Sequence, residues 1–227
     1  MKKRGLYPYN GVFPQADQSA YIAPGARIVG DVRLGPRVSI WWNAVVRGDL
    51  APVIIGQGSN IQDNAVLHVG REQPCILQEN VLVGHGAICH GCTIGEGALI
   101  GMGAIILSGA TIGHHALVAA GALIPERASV PPETLWAGNP AREVKNLGPG
   151  ILARMREGTL LYQDLAALCL AEELAKLEAR RGARREIEDA MEDMDGLPDE
   201  GLTWRLSQAA EARHRSEKSG QSDSTDL

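Results

Sequence analysis

An aliphatic residue recurs every six positions through much of this chain, and this period constrains the fold more than any other feature of the sequence. A small or aliphatic residue usually stands two positions earlier, as at Val38, Ala44 and Ala98. Because residues two apart lie on the same face of a strand, each unit is predicted to be a short strand with two inward side chains, followed by a turn. The repeated aliphatic positions are Ile22, Ile28, Leu34, Ile40, Val46, Ile55, Ile61, Leu67, Leu77, Val83, Cys89, Ile94, Ile100, Ile106, Ile112, Val118 and Ile124.

Units of this kind cannot bury their own apolar faces, so they must stack on one another. With three six-residue units in each coil, the chain would form a triangular prism of parallel β-strands. An ordinary β-sandwich would show irregular strand lengths and hairpin turns, which the regular repeat from residue 22 to residue 124 disfavours. The step breaks between Val46 and Ile55 and between Leu67 and Leu77, and we interpret both breaks as insertions at turns.

The composition changes after the repeat ends. From about Gly150 onwards, Leu and Met recur at helical spacing with charged residues between them, which predicts an amphipathic helix. The last residues are polar and lack an apolar pattern. We therefore predict a β-helix domain over residues 1–145, a C-terminal helical extension over 146–212 and a disordered tail over 213–227.

The overall composition excludes several classes of protein. The net charge of −5 gives no reason to expect nucleic-acid binding. No apolar run approaches the ~18 residues of a membrane span, and the first residues lack the apolar segment of a signal peptide. Four cysteines in 227 residues do not make a disulfide framework and favour a reducing compartment. We expect a cytoplasmic protein without a membrane span, with the mitochondrial matrix as the alternative.

The segment VGHGAICHGCTIG, residues 83–95, contains two histidines and two cysteines, a density that suggests a zinc site. The phase of the repeat separates these residues. Cys89 takes the inward aliphatic position and Cys92 the inward small position, where free thiols pack as small hydrophobes. His85 and His90 fall at turns, so we interpret the histidines as candidate ligands and the cysteines as core residues.

The same phase assigns the candidate ligands to different edges of the prism. Counting three units per coil stacks Arg47, His68 and His90 along one edge, separated by about one strand spacing, ~4.8 Å. Two imidazoles on adjacent rungs of one edge can converge on one ion. His85 falls on a second edge, one coil above Asp63.

A site built from two edges requires a second chain. Zinc ligands must lie within ~2.0–2.1 Å of the metal, and one prism should not bring two of its edges that close. Two neighbouring prisms could do so if one edge of the first faced a different edge of the second, a heterologous contact that can close into a ring. We therefore predict a homotrimer with intersubunit metal sites, each formed by His68 and His90 of one chain and His85 of its neighbour.

The other histidines have a simpler interpretation. His114 and His115 lie in a turn on the third edge, farther along the prism. His214 lies in the polar tail. We expect all three to be exposed residues.

Four segments together resemble the γ-class carbonic anhydrases, a group within the hexapeptide-repeat, left-handed β-helix family. They are VVRGD (45–49), NIQDNAVLH (60–68), VGHGAICHGCTIG (83–95) and LWAGNP (135–140), and the resemblance covers about residues 10–145. It implies a left-handed coil, an exception to the usual right-handed crossover. It also implies that His68, His85 and His90 bind Zn²⁺, or alternatively Fe²⁺ or Co²⁺, and that metal-bound hydroxide reversibly hydrates carbon dioxide to bicarbonate.

The resemblance also implies roles for the residues around the histidines. Gln62 would orient the hydroxide, and Asn60 would fix Gln62. Arg47 and Asp63 lie on the two edges predicted to face each other, where they could form an intersubunit ion pair that Asp49 joins. A purely structural role for these three residues, holding the trimer together, stays open.

This sequence departs from the family pattern in two places. The founding enzymes carry a long acidic loop with a proton-shuttling glutamate, whereas here the segment is the short VGREQPC, with Glu72 as its only carboxylate. Some relatives have a tyrosine near the site where this chain has Trp136. Two other functions therefore stay open: an acyltransferase or thioesterase acting on coenzyme A thioesters, and a non-catalytic assembly subunit on the same scaffold.

Overall fold

The computed structural model describes residues 5–192, which form a series of short strands followed by one long helix. The predicted extension beyond residue 192 and the predicted tail over 213–227 lie outside the described residues. The elements are β1 (Leu6–Tyr7), β2 (Gln15–Ala16), β3 (Tyr21–Ile22), β4 (Arg27–Leu34), β5 (Ser39–Ile40), β6 (Val45–Ile55), β7 (Asn60–Ile61), β8 (Val66–His68), β9 (Cys75–Leu77), β10 (Leu82–Val83), β11 (Ile88–His90), β12 (Thr93–Ile94), β13 (Leu99–Ile100), β14 (Ile105–Ile106), β15 (Thr111–Ile112), β16 (Leu117–Val118), β17 (Leu123–Ile124), β18 (Ser129–Val130), β19 (Thr134–Gly138), β20 (Ala141–Asn146) and α1 (Pro149–Glu192).

The strands form a parallel β-solenoid of about seven turns with three faces. One face follows the order β5–β7–β10–β13–β16, extended by β3 at one end and by β19 and β20 at the other. The other two faces belong to one twelve-stranded sheet, because β4 and β6 each continue around a corner from one face to the next. Pairing is parallel except between β19 and β20, which are antiparallel.

The core is a column of small and aliphatic side chains inside the coils, as the repeat predicts. Ile28, Ile61 and Leu67 are fully buried, as are the alanines two positions before many of the repeated aliphatic residues. Such a column needs no large aromatic residue, because each rung contributes one small and one branched side chain to the interior. The predicted fold class, mainly β with a parallel β-helix followed by a C-terminal α-helix, is confirmed.

The chain divides into two compact units, Met1–Glu172 and Glu173–Leu227. Within the first unit, the beginning of α1 packs on the face that contains β3, β5, β7 and β10. Gln163 Nε2 donates hydrogen bonds to the Gly58 carbonyl (3.0 Å) and to Asn80 Oδ1 (3.1 Å). The Trp41 and Tyr162 rings meet edge to face with centroids 5.3 Å apart.

No helix within residues 5–192 is apolar over a length that could cross a membrane.

Candidate metal centre

His68 and His90 lie on adjacent rungs of one edge of the prism. Strands β8 and β11 pair in parallel with His90 opposite His68, so the two imidazoles leave the same edge one coil apart. Their ring centroids are 5.1 Å apart, at an interplanar angle of 63°. The register therefore aims two nitrogen ligands at one region of the surface, as the phase of the repeat predicts.

A carboxylate bridges this edge to the coil below. Asp49 Oδ1 lies 2.8 Å from His68 Nε2, and Asp49 Oδ2 accepts a short hydrogen bond from the Arg47 guanidinium. Burial raises the pKa of Asp49, but its hydrogen bond with His68 and the charge of Arg47 outweigh that effect, so the pKa is lowered from its ordinary value. The carboxylate is therefore ionised at neutral pH.

His90 is held at one ring nitrogen and kept neutral by its surroundings. Its Nδ1 lies 2.7 Å from Ser108 Oγ, which leaves Nε2 for another partner. Burial lowers the pKa of His90, and the nearby His68 and Arg47 lower it further. A neutral imidazole is the form that binds metals, so this environment suits a ligand.

His85 lies on the second edge and is oriented by another carboxylate. Its Nδ1 is 2.8 Å from Asp63 Oδ2, while Asp63 Oδ1 accepts a hydrogen bond from the Trp42 backbone N–H at 3.1 Å. On its other side, His85 Nε2 lies 3.5 Å from the hydroxyl of Tyr162 on α1. Burial and the charge of Asp63 raise the pKa of Tyr162, so its hydroxyl stays protonated at neutral pH.

Asn60 and Gln62 form a buried pair next to the second edge. Both are outward residues flanking the inward Ile61, yet Asn60 is fully buried and Gln62 is 4% exposed. Gln62 Nε2 donates to Asn60 Oδ1 at 3.3 Å, and Asn60 Nδ2 has no hydrogen-bond partner within the part of the chain that the structure describes. A buried amide left without a partner is costly, so this pair is a polar feature that the fold retains at a price in stability.

Comparison with known proteins identifies the family. The repeat model described as bacterial transferase hexapeptide (six repeats) matches residues 91–126. A probable carbonic anhydrase of Methanocaldococcus jannaschii is 51% identical over 145 residues, which cover 64% of this chain and 91% of that protein. The carbonic anhydrase of Geobacillus kaustophilus is 49% identical over 142 residues, covering 63% and 78% of the two chains. The γ-carbonic anhydrase 1 of Arabidopsis thaliana is 38% identical over 165 residues, covering 70% of this chain. The chain belongs to the γ-class carbonic anhydrase family.

The match covers only part of one relative, and it extends to a protein with a different description. The aligned region spans 60% of the Arabidopsis protein, less than two thirds of its length. A crystal structure from Bacillus cereus, described as a putative acetyltransferase, superimposes with a TM-score of 0.72 at 41% identity, covering 73% of this chain and 96% of that one. The left-handed form of the β-helix, predicted from the resemblance, follows from the family.

Three imidazoles are a donor set that fits a divalent transition metal. His90 is held at Nδ1 and leaves Nε2 available. His85 is held at Nδ1 by Asp63, but its Nε2 contacts the Tyr162 hydroxyl. His68 contacts Asp49 through Nε2, so a metal could bind that atom only if the Asp49 contact were broken. Among the side chains that the structure describes, no group of three donors that includes these histidines lies within 4.8 Å of one another. Within one chain, the described residues therefore do not bring His68, His85 and His90 together at one point.

One contact of His85 could not be predicted from the sequence. Tyr162 contacts His85, but the sequence offers only its place in an amphipathic helix and nothing that names its partner. Trp136, by contrast, lies on β19, which is separated from β10 by β13 and β16. The aromatic residue near His85 is thus Tyr162 on α1, and Trp136 is several coils away.

Proposed function

We propose that this chain is a metal-dependent carbonic anhydrase that reversibly hydrates carbon dioxide to bicarbonate at the subunit interfaces of a homotrimer. The observation that supports this most is the division of the histidines between two edges, with His68 and His90 on one and His85 on the other. His85 and His90 each contact a protein side chain through Nδ1, as metal-ligating histidines usually contact one through the nitrogen that does not bind the metal.

The protein residues hold the metal and order the space around it. His68 and His90 of one chain and His85 of its neighbour are the proposed ligands. When bound, Zn²⁺ (or Fe²⁺ or Co²⁺) lowers the pKa of water toward about 7 and so supplies a nucleophile near neutral pH. Gln62 would orient that nucleophile, and Asn60 would hold Gln62 by accepting the 3.3 Å hydrogen bond from Gln62 Nε2.

The remaining polar groups serve positioning and proton release. Asp63 fixes the His85 ring, and Arg47 pairs with Asp49 within the chain, so an additional pair between Arg47 and Asp63 of a neighbour stays a proposal. Glu72, the carboxylate of the short loop, is exposed and can exchange protons with solvent. A single exposed carboxylate is a modest proton shuttle, which predicts slower turnover than an enzyme with an acidic loop.

The surface near the second edge supports association into a trimer. Trp42 and Met102, which are 43% and 62% exposed, lie one coil below and one coil above the rungs of Asp63 and His85. Ile88 is 37% exposed on the face that connects His85 to His90. Large apolar side chains that surround polar ligands are typical of a protein contact surface.

One experiment tests the function directly. The purified protein is loaded with Zn²⁺ or Fe²⁺ in reducing buffer, its metal content and oligomeric state are measured, and carbon dioxide hydration is followed by stopped-flow pH change. We expect a trimer with metal-dependent hydration that a His90→Ala variant loses. A metal-loaded trimer that does not accelerate hydration would rule out the proposed activity.

The similarity to one solved structure supports a second candidate function. The similarity to a chain described as a putative acetyltransferase favours an acyl-transfer enzyme acting on coenzyme A thioesters. Isothermal titration with coenzyme A and acetyl-coenzyme A separates the two functions, because a carbonic anhydrase needs no thioester site. Micromolar affinity for coenzyme A would favour acyl transfer.

The compartment stays a prediction. The cysteines Cys75, Cys89, Cys92 and Cys169 are all free thiols, which fits the reducing environment of the cytoplasm or of the mitochondrial matrix.

A further inference from the structure

We propose that His114, His115 and Glu133 form a second site for a divalent transition metal on the third edge of the prism. This edge is separate from the two that carry His68, His85 and His90, and the inference does not depend on the proposed activity. Two imidazoles and one carboxylate are a donor set that binds Zn²⁺, and imidazole also suits Ni²⁺ and Cu²⁺.

The geometry of the three side chains suits a metal. Their donor atoms all lie within 4.8 Å of one another, and all three residues are exposed. The Nδ1 atoms of His114 and His115 are 3.3 Å apart, with the rings nearly perpendicular at 86°. Two ligands of a tetrahedral Zn²⁺ ion with bonds of ~2.0–2.1 Å are separated by about 3.3 Å. The two imidazoles therefore already have the spacing that a shared ion requires.

The backbone holds the three ligands on adjacent rungs. The Glu133 N–H donates to the His114 carbonyl at 3.1 Å, and the His115 N–H donates to the Glu96 carbonyl at 2.7 Å. The His115 ring lies over Gly97, where an added Cβ would come 2.5 Å from the ring. The absence of a side chain at Gly97 thus leaves room for the imidazole beside the proposed metal.

The proposed site opens onto a groove. His115 and Glu133 line a cavity of about 610 Å³ between this edge and α1, together with Glu96 and Arg156. Three protein ligands leave the fourth position of a tetrahedral ion open to water or to a small anion from this groove. The site therefore has the open coordination of a reactive or regulatory metal rather than the closed shell of a structural one.

The chain has six histidines, and His214, which belongs to neither proposed site, is available as a control. In the wild-type protein, native mass spectrometry is expected to find two Zn²⁺ per chain at saturation. One would be at the proposed three-histidine site and one at the third edge. The His114→Ala and Glu133→Gln variants should fall to one ion per chain, or bind the second ion at least about tenfold more weakly. His214→Ala is the matched control for a lost imidazole, Glu143→Gln for a lost exposed carboxylate, and both should keep two.

Copper spectroscopy identifies the ligands independently of the other edges. In a His68→Ala/His85→Ala/His90→Ala background, bound Cu²⁺ should show electron paramagnetic resonance couplings to two imidazole nitrogens. Adding His114→Ala should reduce the couplings to one, while adding His214→Ala should leave them unchanged. Loss of the second ion in the His214→Ala variant, or two Zn²⁺ per chain retained in the His114→Ala variant, would overturn the proposal. Since the copper experiment is done without His68, His85 and His90, its failure leaves the carbonic anhydrase proposal intact, and failure of that proposal leaves its result unchanged.

Discussion

At the scale of single residues, the candidate centre depends on groups that orient the histidines as much as on the histidines. Asp63 shows this most clearly, because it contacts His85 at Nδ1 and not at Nε2, the proposed ligand atom. A carboxylate at this position fixes the orientation of the ring. The sequence placed Asp63 under His85 correctly by counting coils, but the atom-to-atom pairing emerged only from the structure.

Replacing Asp63 with asparagine should therefore weaken metal binding without unfolding the chain. Asparagine keeps an oxygen that can accept the hydrogen bond of the Trp42 N–H but removes the charge. We expect metal affinity to fall about 10–100-fold, measured by competition with a fluorescent chelator. The control is Asp31→Asn, which removes a carboxylate paired with the exposed Arg33. Unchanged affinity in a trimeric Asp63→Asn protein would show that Asp63 does not support His85.

Buried thiols make a second prediction at this scale. The contact with Cys92 and complete burial raise the pKa of Cys75 well above its ordinary value. The contact of Cys92 with Cys75 lowers its pKa, but its contact with Cys89 and its burial raise it more, so the net pKa is also well above the ordinary value. Cys75 was missed as a core residue because it follows an interruption, although it stands two positions before Leu77 as the repeat requires.

The raised thiol pKa values predict a loss of stability in alkaline solution. In the unfolded chain these thiols ionise near pH ~8.5, whereas the fold keeps them protonated, so their contribution is fully present below that pH and is lost as pH rises. The free energy of unfolding should fall by up to about 1.4 kcal/mol per pH unit for each thiol. Urea denaturation between pH 8 and 10 measures this slope. Cys92→Ala should reduce it, and an unchanged slope in that variant would contradict the prediction.

At the scale of elements, the six-residue period over residues 22–124 predicts the short strands from β3 to β17 but not the full length of the two long ones, β4 and β6. β4 and β6 continue around a corner, and a Cβ at Gly30 would lie 2.2 Å from the Gly48 carbonyl oxygen. A local period records which side chains point inward. It does not record whether backbone pairing persists between two units, so the break after Val46 looked like a turn insertion rather than a continuous strand.

Close stacking of turns gives a prediction for two glycines that are two residues apart. A Cβ at Gly101 would lie 2.4 Å from the Ala120 backbone nitrogen, whereas at Gly103 it would meet nothing within 4 Å. Gly101→Ala must push two coils apart and should cost about 3 kcal/mol. Gly103→Ala adds only the strain of its positive φ of 65°, about 1 kcal/mol. Thermal denaturation of both variants compares the two costs, and equal costs would contradict the stacking argument.

The sequence of α1 predicts a helix but not which of its faces is buried. The pattern predicts that α1 is amphipathic, but its residues form two apolar rows. Met155 and Ala166 are buried in the first unit, whereas Leu161 and Leu168 are 56% and 64% exposed. Hydrophobicity alone does not say which row faces the prism, because that choice depends on the shape of the surface around Trp41.

The packing of α1 on the prism predicts different outcomes for two substitutions at Tyr162. Phenylalanine keeps the edge-to-face contact with Trp41 and loses only the 3.5 Å contact with His85. We expect Tyr162→Phe to lower the free energy of unfolding by about 0.5 kcal/mol, and Tyr162→Ala by about 2 kcal/mol. Chemical denaturation measures both values. Similar losses in the two variants would mean that the hydroxyl, not the ring, anchors the helix.

At the scale of the whole molecule, the triangular coil explains why the proposed centre needs more than one chain. Register places His68 and His90 on one edge and His85 on another, and this division follows from the length of each coil alone. The sequence therefore predicts both the ligands and the need for a partner. It does not predict how two edges meet, since that depends on side chains such as Trp42 and Met102, which the repeat leaves free to vary.

Mixed trimers test whether two chains share each metal site, because the number of complete sites depends on which chain supplies each histidine. If each site takes His68 and His90 from one chain and His85 from the next, a trimer that combines His68→Ala chains with His85→Ala chains contains a single complete site. Random mixing in equal amounts should then restore about a quarter of the wild-type sites, measured as tightly bound metal after unfolding, mixing and refolding.

The matched control mixes His68→Ala with His90→Ala chains. Every chain then lacks one of the two ligands that must come from the same edge, so no mixture contains a complete site and no metal binding should return. Recovery of metal binding in this control would mean that His68 and His90 of one site come from different subunits. Absence of recovery in the first mixture, with mixed trimers verified by native mass spectrometry, would mean that the three histidines do not share an ion across the interface.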